Sequence, residues 1–276
     1  MLAQPDKLDA KQVKAALEAP SPFWREVICL ARVGSTNDLA KTLAIEGAPE
    51  GTVVVADEQT AGRGRMSRRW VAPPHTSILC SILFRPSRPV AEANRLTMLC
   101  SMAAADAVEQ VTGLSVGLKW PNDLIVESQM PNSEAGTWRK LGGILTETGL
   151  AGDSLAFAIV GIGINVNVAP ETLPRLAPHA TSTLAETGRR TARLELLVAL
   201  LKRVEARYED LGSGGDPHQE WCSRLATLGR RVQVATPQGI LNGVAYAVAA
   251  DGALLLRTDD GSIQRLLVGD VTLAPA

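Results

Sequence analysis

Arg63, Arg65, Arg68 and Arg69 fall within seven residues of the stretch EQTAGRGRMSRRW (58–70), where Gly62 and Gly64 flank the first of them and Trp70 closes the run. Guanidinium forks hold phosphate or carboxylate in bidentate fashion, and glycine lets backbone come close to a ligand. The stretch leaves TVVVAD (52–57), a valine-rich strand candidate. A glycine-and-arginine loop leaving a buried strand is an anion trap. The same composition also suits a solvated basic loop or a nucleic-acid patch, so the rest of the chain has to decide.

Several other constellations carry chemistry. Ser35, Thr36 and Asn37 precede DLAKTLAIEG. Their types cap a helix, and a helix N-terminus with two hydroxyls and an amide also holds a small polar head group. Pro121-Asn122-Asp123 interrupts a strand with turn chemistry, and the plain reading of Lys119 and Asp123 beside it is an ordinary turn with solvated charges. Lys140 starts the strand RKLGGILTETG (139–149), just before the small pair Gly142-Gly143. In SLAFAIVGIGINVNV (154–168), Gly161, Gly163, Asn165 and Asn167 alternate, which puts all four on one strand face. That face has no bulk, so neighbouring side chains or a ligand must pack there.

These residues need elements to hold them. Residues 6–19 read as a short amphipathic helix stopped by Pro20 and Pro22, and 25–33 as a strand. SILCSILF (77–84) is a further strand. The next helix places Leu96, Leu99, Cys100, Ala103, Ala107 and Val111 on one face. Residues 127–138 are polar and read as a hairpin loop. A helix over 191–211 carries Leu194, Leu197, Val198, Leu201, Val204 and Tyr208 on one face, and a shorter helical stretch follows GSGGDP. From Arg230 the texture changes to short strands parted by Gly and Asp-Gly turns. A module of about fifty residues built this way suits a partly open barrel.

Composition bounds the function. The chain has 276 residues, a hydrophobic fraction of 46% and a formal net charge of −1. That balance argues against a general nucleic-acid binder. Cys29, Cys80, Cys100 and Cys222 form no CxxC and read as small buried hydrophobes of a reducing compartment. His75, His179 and His218 have no metal-ligand spacing. The N-terminus has no signal-peptide core, and no window reaches the ~20 apolar residues of a membrane span. A cytoplasmic protein is expected. Neither GxG run fits a dinucleotide fingerprint, and no P-loop is present. Arginines, a lysine, asparagines and one aspartate on neighbouring strands suit phosphoryl or acyl-phosphate chemistry, where the protein positions groups and neutralises charge.

GSTN (34–37), EQTAGRGRMSRRW, KWPND (119–123), the KLGGIL strand and GIGINVN (161–167) occur in the order seen in biotin protein ligases, which this chain resembles over residues 21–276. The resemblance implies an α+β fold: a mixed sheet with helices packed on one face, then an SH3-like barrel. The expected domains are 1–226, with 1–22 as an N-terminal extension, and 227–276. It also implies two steps: formation of biotinyl-5′-AMP from biotin and MgATP, then transfer of biotin to a lysine of a biotin carboxyl carrier domain. By position, Ser35, Thr36, Asn37, Gln59, Arg63, Gly64, Arg65, Lys140 and Gly142 correspond to the biotin pocket. Arg65, Arg68, Trp70, Asn122, Lys140 and Asn165 correspond to the ATP and adenylate side. Lys140, Arg65 and Asp123 correspond to the catalytic set, with Asp123 orienting the incoming lysine or assisting Mg²⁺.

The chain departs from the family pattern in two ways. Ser67 stands where the arginine loop of the family commonly has glycine, which strains the loop if that position needs positive φ. Some members carry an N-terminal DNA-binding domain, and the 34 residues before Ser35 do not suit one. The expectation is a monofunctional ligase, monomeric or homodimeric, that binds no DNA and no membrane. The rivals are a lipoate ligase with the same chemistry, a biotin-sensing repressor and a non-catalytic binding module.

Overall fold

The computed structural model describes residues 6–17, 21, 23–86, 89–127, 138–152 and 154–273. In chain order its elements are α1 (Ala10–Ala16), β1 (Glu26–Leu30), α2 (Thr36–Ile45), β2 (Thr52–Ala56), β3 (Ser77–Phe84) and α3 (Ala93–Thr112). Then come β4 (Gly117–Lys119), β5 (Asp123–Glu127), β6 (Trp138–Ala151), β7 (Ser154–Asn165), α4 (Leu173–Leu176), α5 (Thr183–Thr187), α6 (Arg193–Gly212) and α7 (His218–Ser223). The C-terminal strands are β8 (Arg231–Thr236), β9 (Gly239–Val248), β10 (Leu254–Arg257), β11 (Ile263–Leu266) and β12 (Asp270–Leu273). The polar loop expected at 127–138 lies, apart from its two ends, outside the described residues.

Seven strands form one mixed sheet in the order β1-β2-β3-β7-β6-β5-β4. β1 and β2 run parallel, and the other neighbours are antiparallel. Alternation sorts its side chains cleanly. Val53, Val55, Ile82, Phe84, Val160 and Ile162 share a core with Val13 of α1, Leu96 and Leu99 of α3, and Leu197 and Leu201 of α6. The helical face read from 191–211 is the buried one, with Val204 fully covered. Cys80 and Cys100 are buried in the same core, whereas Cys29 and Cys222 are half-buried.

The expected arrangement, helices on one face, describes α1, α3 and α6. The short α2 lies on the opposite face, where Ala40 and Ala44 cover Val54, Leu83, Phe157 and Ile159. It shields only one end of that face. The remainder, from Ser81 and Gly161 across to Gly143 and Asp123, is left for something else, and α2 points its N-terminus there.

The second sheet has five antiparallel strands in the order β11-β10-β9-β8-β12, the small C-terminal barrel expected from the turn-rich sequence. It does not hang free. Val232, Val234, Leu254 and Val271 join the main core. Trp120 is fully buried at the junction, with its backbone N–H donating to Thr227 Oγ1 and its Nε1 to Gly252 O, each at 2.9 Å. This packing fixes β12 beside the turn between β4 and β5. Among the described residues, no helix is long and apolar enough to cross a membrane.

Candidate active site

The uncovered face of the sheet is the floor of a cavity of about 860 Å³. Its walls come from the α2 N-terminus, the arginine stretch, the β4–β5 turn, residues 176–180 and β12.

One end is neutral and polar. Ser35 caps α2, accepting from Asp38 N–H at 3.4 Å. Gln59 Oε1 accepts from both the backbone N–H and the hydroxyl of Thr36, at 2.7 and 3.0 Å. Ser81 Oγ, on the floor, lies 2.8 Å from Thr36 Oγ1 and 2.6 Å from Asn37 Oδ1. Asn37 Nδ2 donates to Leu145 O at 3.3 Å and to Glu147 Oε2 at 2.8 Å. Thr36 and Asn37 thus spend most of their hydrogen-bonding capacity inside the protein and build the wall. The Ser35 hydroxyl proton and Gln59 Nε2 remain for a ligand.

The floor is flat because it is glycine. A Cβ on Gly161 would sit 2.1 Å from Asn37 Oδ1, and one on Gly163 would sit 2.7 Å from the Trp70 ring. Both readings of that bare face therefore apply: neighbouring side chains press on it and the cavity lies over it. Asn165 completes it. Its Nδ2 donates to Thr181 O at 3.0 Å, while its buried Oδ1 has no partner among the described residues. Trp70 Nε1 is likewise buried and unpartnered. An orphan acceptor and an orphan donor on one cavity wall call for a polar ligand. Asn167 does not join them. β7 ends at Asn165, and Asn167 instead pairs with the backbone of Thr191.

The other end is charged. Lys140 Nζ donates to Asp123 Oδ1 at 2.6 Å, and Lys119 Nζ lies 3.4 Å from Asp123 Oδ2. β4 and β5 pair Lys119 directly opposite Asp123. Lys140 reaches the same face through a bulge: the β5–β6 register shifts between Leu124 and Ile125, which face Gly142 and Lys140. The shift corrects one sequence expectation. The resemblance placed Gly142 at the biotin pocket, but the bulge turns Gly142 away from the cavity, where its Cβ would meet Leu124 at 2.9 Å and Gly163 O at 2.6 Å. Gly143 lines the cavity in its place.

The arginine stretch is a small hairpin over this floor. Arg63 bridges Arg69, and Trp70 N–H donates to Gly62 O at 3.0 Å. Its tip, Arg65 to Arg68, closes with Arg68 N–H donating to Arg65 O at 3.1 Å. Met66 and Ser67 have φ of 54° and 59°, so this is a type I′ turn, which favours Asn-Gly. The positive φ suspected at Ser67 is present, and Met66 shares it. Ser67→Gly should relieve about 1 kcal/mol of backbone strain and so open the hairpin about fivefold less often. Slower tryptic cleavage of the ligand-free hairpin, at unchanged Tm, would register this.

Each arginine reaches a different wall. Arg63 meets Glu147 and, at 2.7 Å, Asp38. Arg65 donates to Asn122 Oδ1 at 3.2 Å, and Asn122 Nδ2 in turn to Ile144 O. Arg68 meets Asp270 of β12 at 2.8 Å, and Arg69 donates to Thr60 O at 3.0 Å. Burial lowers the Arg65 guanidinium pKa, with Asp123 and Asp270 opposing the shift. Burial also pushes the Asp270 carboxyl up, but the Arg68 hydrogen bond and the charges of Lys119, Arg68 and Lys140 together outweigh it and hold the group below the usual carboxylate range.

Of the residues assigned from sequence, all but Gly142 line this one cavity. Sequence reasoning missed Ser81, Trp138, residues 176–180 and Asp270, and gave Lys119 no role. The opposition of Lys119 and Asp123 across a tight turn was a usable signal for Lys119. Nothing local pointed to Asp270.

A cavity with a neutral polar end, a cationic end and an arginine hairpin above it suits a ligand that is polar and uncharged at one end and carries carboxylate or phosphate at the other. Comparison with known proteins agrees. Residues 29–165 match the Biotin/lipoate A/B protein ligase family, and residues 227–273 match the Biotin protein ligase C terminal domain. The chain is 33% identical over 276 residues to the bifunctional ligase/repressor BirA of Bacillus subtilis, covering 99% of this chain and 81% of that protein. It is 31% identical over 256 residues to the biotin–[acetyl-CoA-carboxylase] ligase of Mycobacterium tuberculosis, covering 90% of each. The structure of the Aquifex aeolicus biotin protein ligase with biotin and ATP superposes with a TM-score of 0.70 at 28% identity, over 91% of this chain and 100% of that one. The chain belongs to the biotin protein ligase family.

Proposed function

We propose that this protein attaches biotin to a lysine of a biotin carboxyl carrier domain, at the cost of ATP, through biotinyl-5′-AMP. The observation that carries the reading is the polarity of the cavity. The neutral end offers the Ser35 hydroxyl and Gln59 Nε2 as donors, which suits the carbonyl of a ureido ring. The charged end gathers Lys140, Arg65 and Arg68, which suits a carboxylate beside phosphates.

In the first step the biotin carboxylate oxygen attacks the α-phosphorus of ATP. The bond to the bridging oxygen breaks and pyrophosphate leaves. Lys140 supplies a point charge where negative charge builds on the phosphoryl oxygens, and Arg65 closes over the same group from the hairpin. Trp70 and Asn165 hold the nucleotide side through the indole N–H and the amide oxygen that lack partners. In the second step the carrier lysine amine attacks the acyl carbon of the mixed anhydride, an amide forms and AMP leaves. Asp123, held by two lysines, is placed to orient that amine.

The donor set also fits Mg²⁺ carried by ATP. Among the described residues no three His, Cys, Asp or Glu side chains gather as a metal cage, but Asp123 and Asp270 line the charged end. An ion bound chiefly by triphosphate oxygens and water needs at most one or two such carboxylates. When bound, Mg²⁺ neutralises phosphate charge.

We assign residues 1–226 to the catalytic unit and 227–276 to the barrel. Mixing the protein with biotin, MgATP and a carrier domain should add one biotin to the carrier's acceptor lysine, read by intact mass. A carrier that stays unmodified while AMP and pyrophosphate accumulate would reject the transfer step.

A further inference from the structure

Glu147 holds none of the roles above. It stands on β6 opposite Ile159, behind the wall that Asn37 and Arg63 present to the cavity. One carboxylate oxygen, Oε2, takes both the Asn37 Nδ2 proton at 2.8 Å and the Arg63 guanidinium. Asn37 belongs to the packed N-terminus of α2, whereas Arg63 begins the hairpin that has to admit and release ligand. Glu147 therefore joins a fixed wall to a lid. Arg63 also meets Asp38, but that side chain is 56% exposed against 23% for Glu147, so solvent screens it more.

The same contact sets the Asn37 amide. With Nδ2 toward Leu145 O and Glu147, Oδ1 faces Ser81. Flipped, the amide would aim its oxygen at two acceptors. Gly161 below leaves no room for the side chain to move downward.

We propose that Glu147 is a positioning residue that couples closure of the arginine hairpin to the shape of the biotin end of the cavity; this rests on the biotin ligase reading. Filling the neutral end stabilises the Asn37 wall, hence the Glu147–Arg63 joint, hence the closed hairpin. By linkage, a closed hairpin tightens the neutral end to the same degree.

Glu147→Gln separates the two halves of the joint. Its carbonyl still accepts from Asn37 but has no charge for Arg63. Without ligand, trypsin should cut the hairpin within 63–69 about fivefold faster than in the wild type, at unchanged Tm, because a charge-assisted contact is lost. In pyrophosphate release, KM for biotin should rise about tenfold while kcat and KM for ATP move less than about threefold, the pattern of lost ground-state positioning. Glu147→Ala, which also frees Asn37, should raise KM for biotin further. Cleavage and KM both within about twofold of wild type would overturn the proposal. So would a loss confined to kcat, or one that merely follows a fall in Tm. If the wild type releases no pyrophosphate with biotin, the functional reading fails instead, and the cleavage comparison still decides whether Glu147 tethers the hairpin.

Discussion

Lys140→Ala should slow biotin-dependent pyrophosphate release by about 10²–10³-fold, or ~3–4 kcal/mol of transition-state stabilisation, the range found when one preorganised donor is removed from a developing negative charge. The fold should survive. The Lys140 backbone donates to His179 O and accepts from Thr181 N–H, bonds independent of its side chain. Its ion-pair partner Asp123 keeps Lys119 at 3.4 Å, so no buried carboxylate is left unpaired. A cavity-side cation that serves only the fold would give the reverse pattern, a lower Tm with near-normal turnover. Steady-state kinetics beside a thermal melt separates the two.

Gly161→Ala should remove measurable biotin binding and cost about 1–3 kcal/mol of stability, the usual range for forcing extra atoms into a packed site. The added methyl would lie 2.1 Å from Asn37 Oδ1 and 2.9 Å from its Cγ. Asn37 cannot swing aside without giving up Ser81, Leu145 O and Glu147, so the α2 N-terminus itself must shift. Gly163→Ala tests the contrast. Its methyl would meet the Trp70 ring, which rides on the hairpin and can lift, so the loss should fall on ATP and on hairpin closure rather than on biotin. Calorimetric titration with biotin, together with melts of both variants, checks the pair. Normal biotin binding by Gly161→Ala at an unchanged Tm would show that the neutral wall is not where it has been placed.

Much of this site was legible because its signals are local. The arginine stretch, the Ser35 cap and the bare face of Gly161, Gly163 and Asn165 each sit within one element or one turn, where spacing fixes which side chains meet. The failures begin where periodicity loses its phase. The end of β7 removes Asn167 from a face that strict alternation gave it, and a bulge beside Lys140 leaves Gly143 on the cavity instead of the Gly142 that the resemblance named. Contacts made by tertiary packing left no trace in any window. Asp270 reaches Arg68 from 202 residues away, and residues 176–180 wall the cavity from within a proline-rich connection. The placement of α2 opposite α3 and α6 follows from which side of each strand is covered, and β3 is buried on both. The turn at Met66-Ser67 is a middle case. The unusual serine pointed to strain, but only the backbone shows that both residues are left-handed.

Adenylation of biotin is read as pyrophosphate release from MgATP, with biotin and lipoate supplied in separate reactions to the wild-type protein. Release is expected with biotin and not with lipoate, and the biotin signal should be lost in Lys140→Ala. Release with lipoate alone, or with neither acid from well-folded protein, would contradict it.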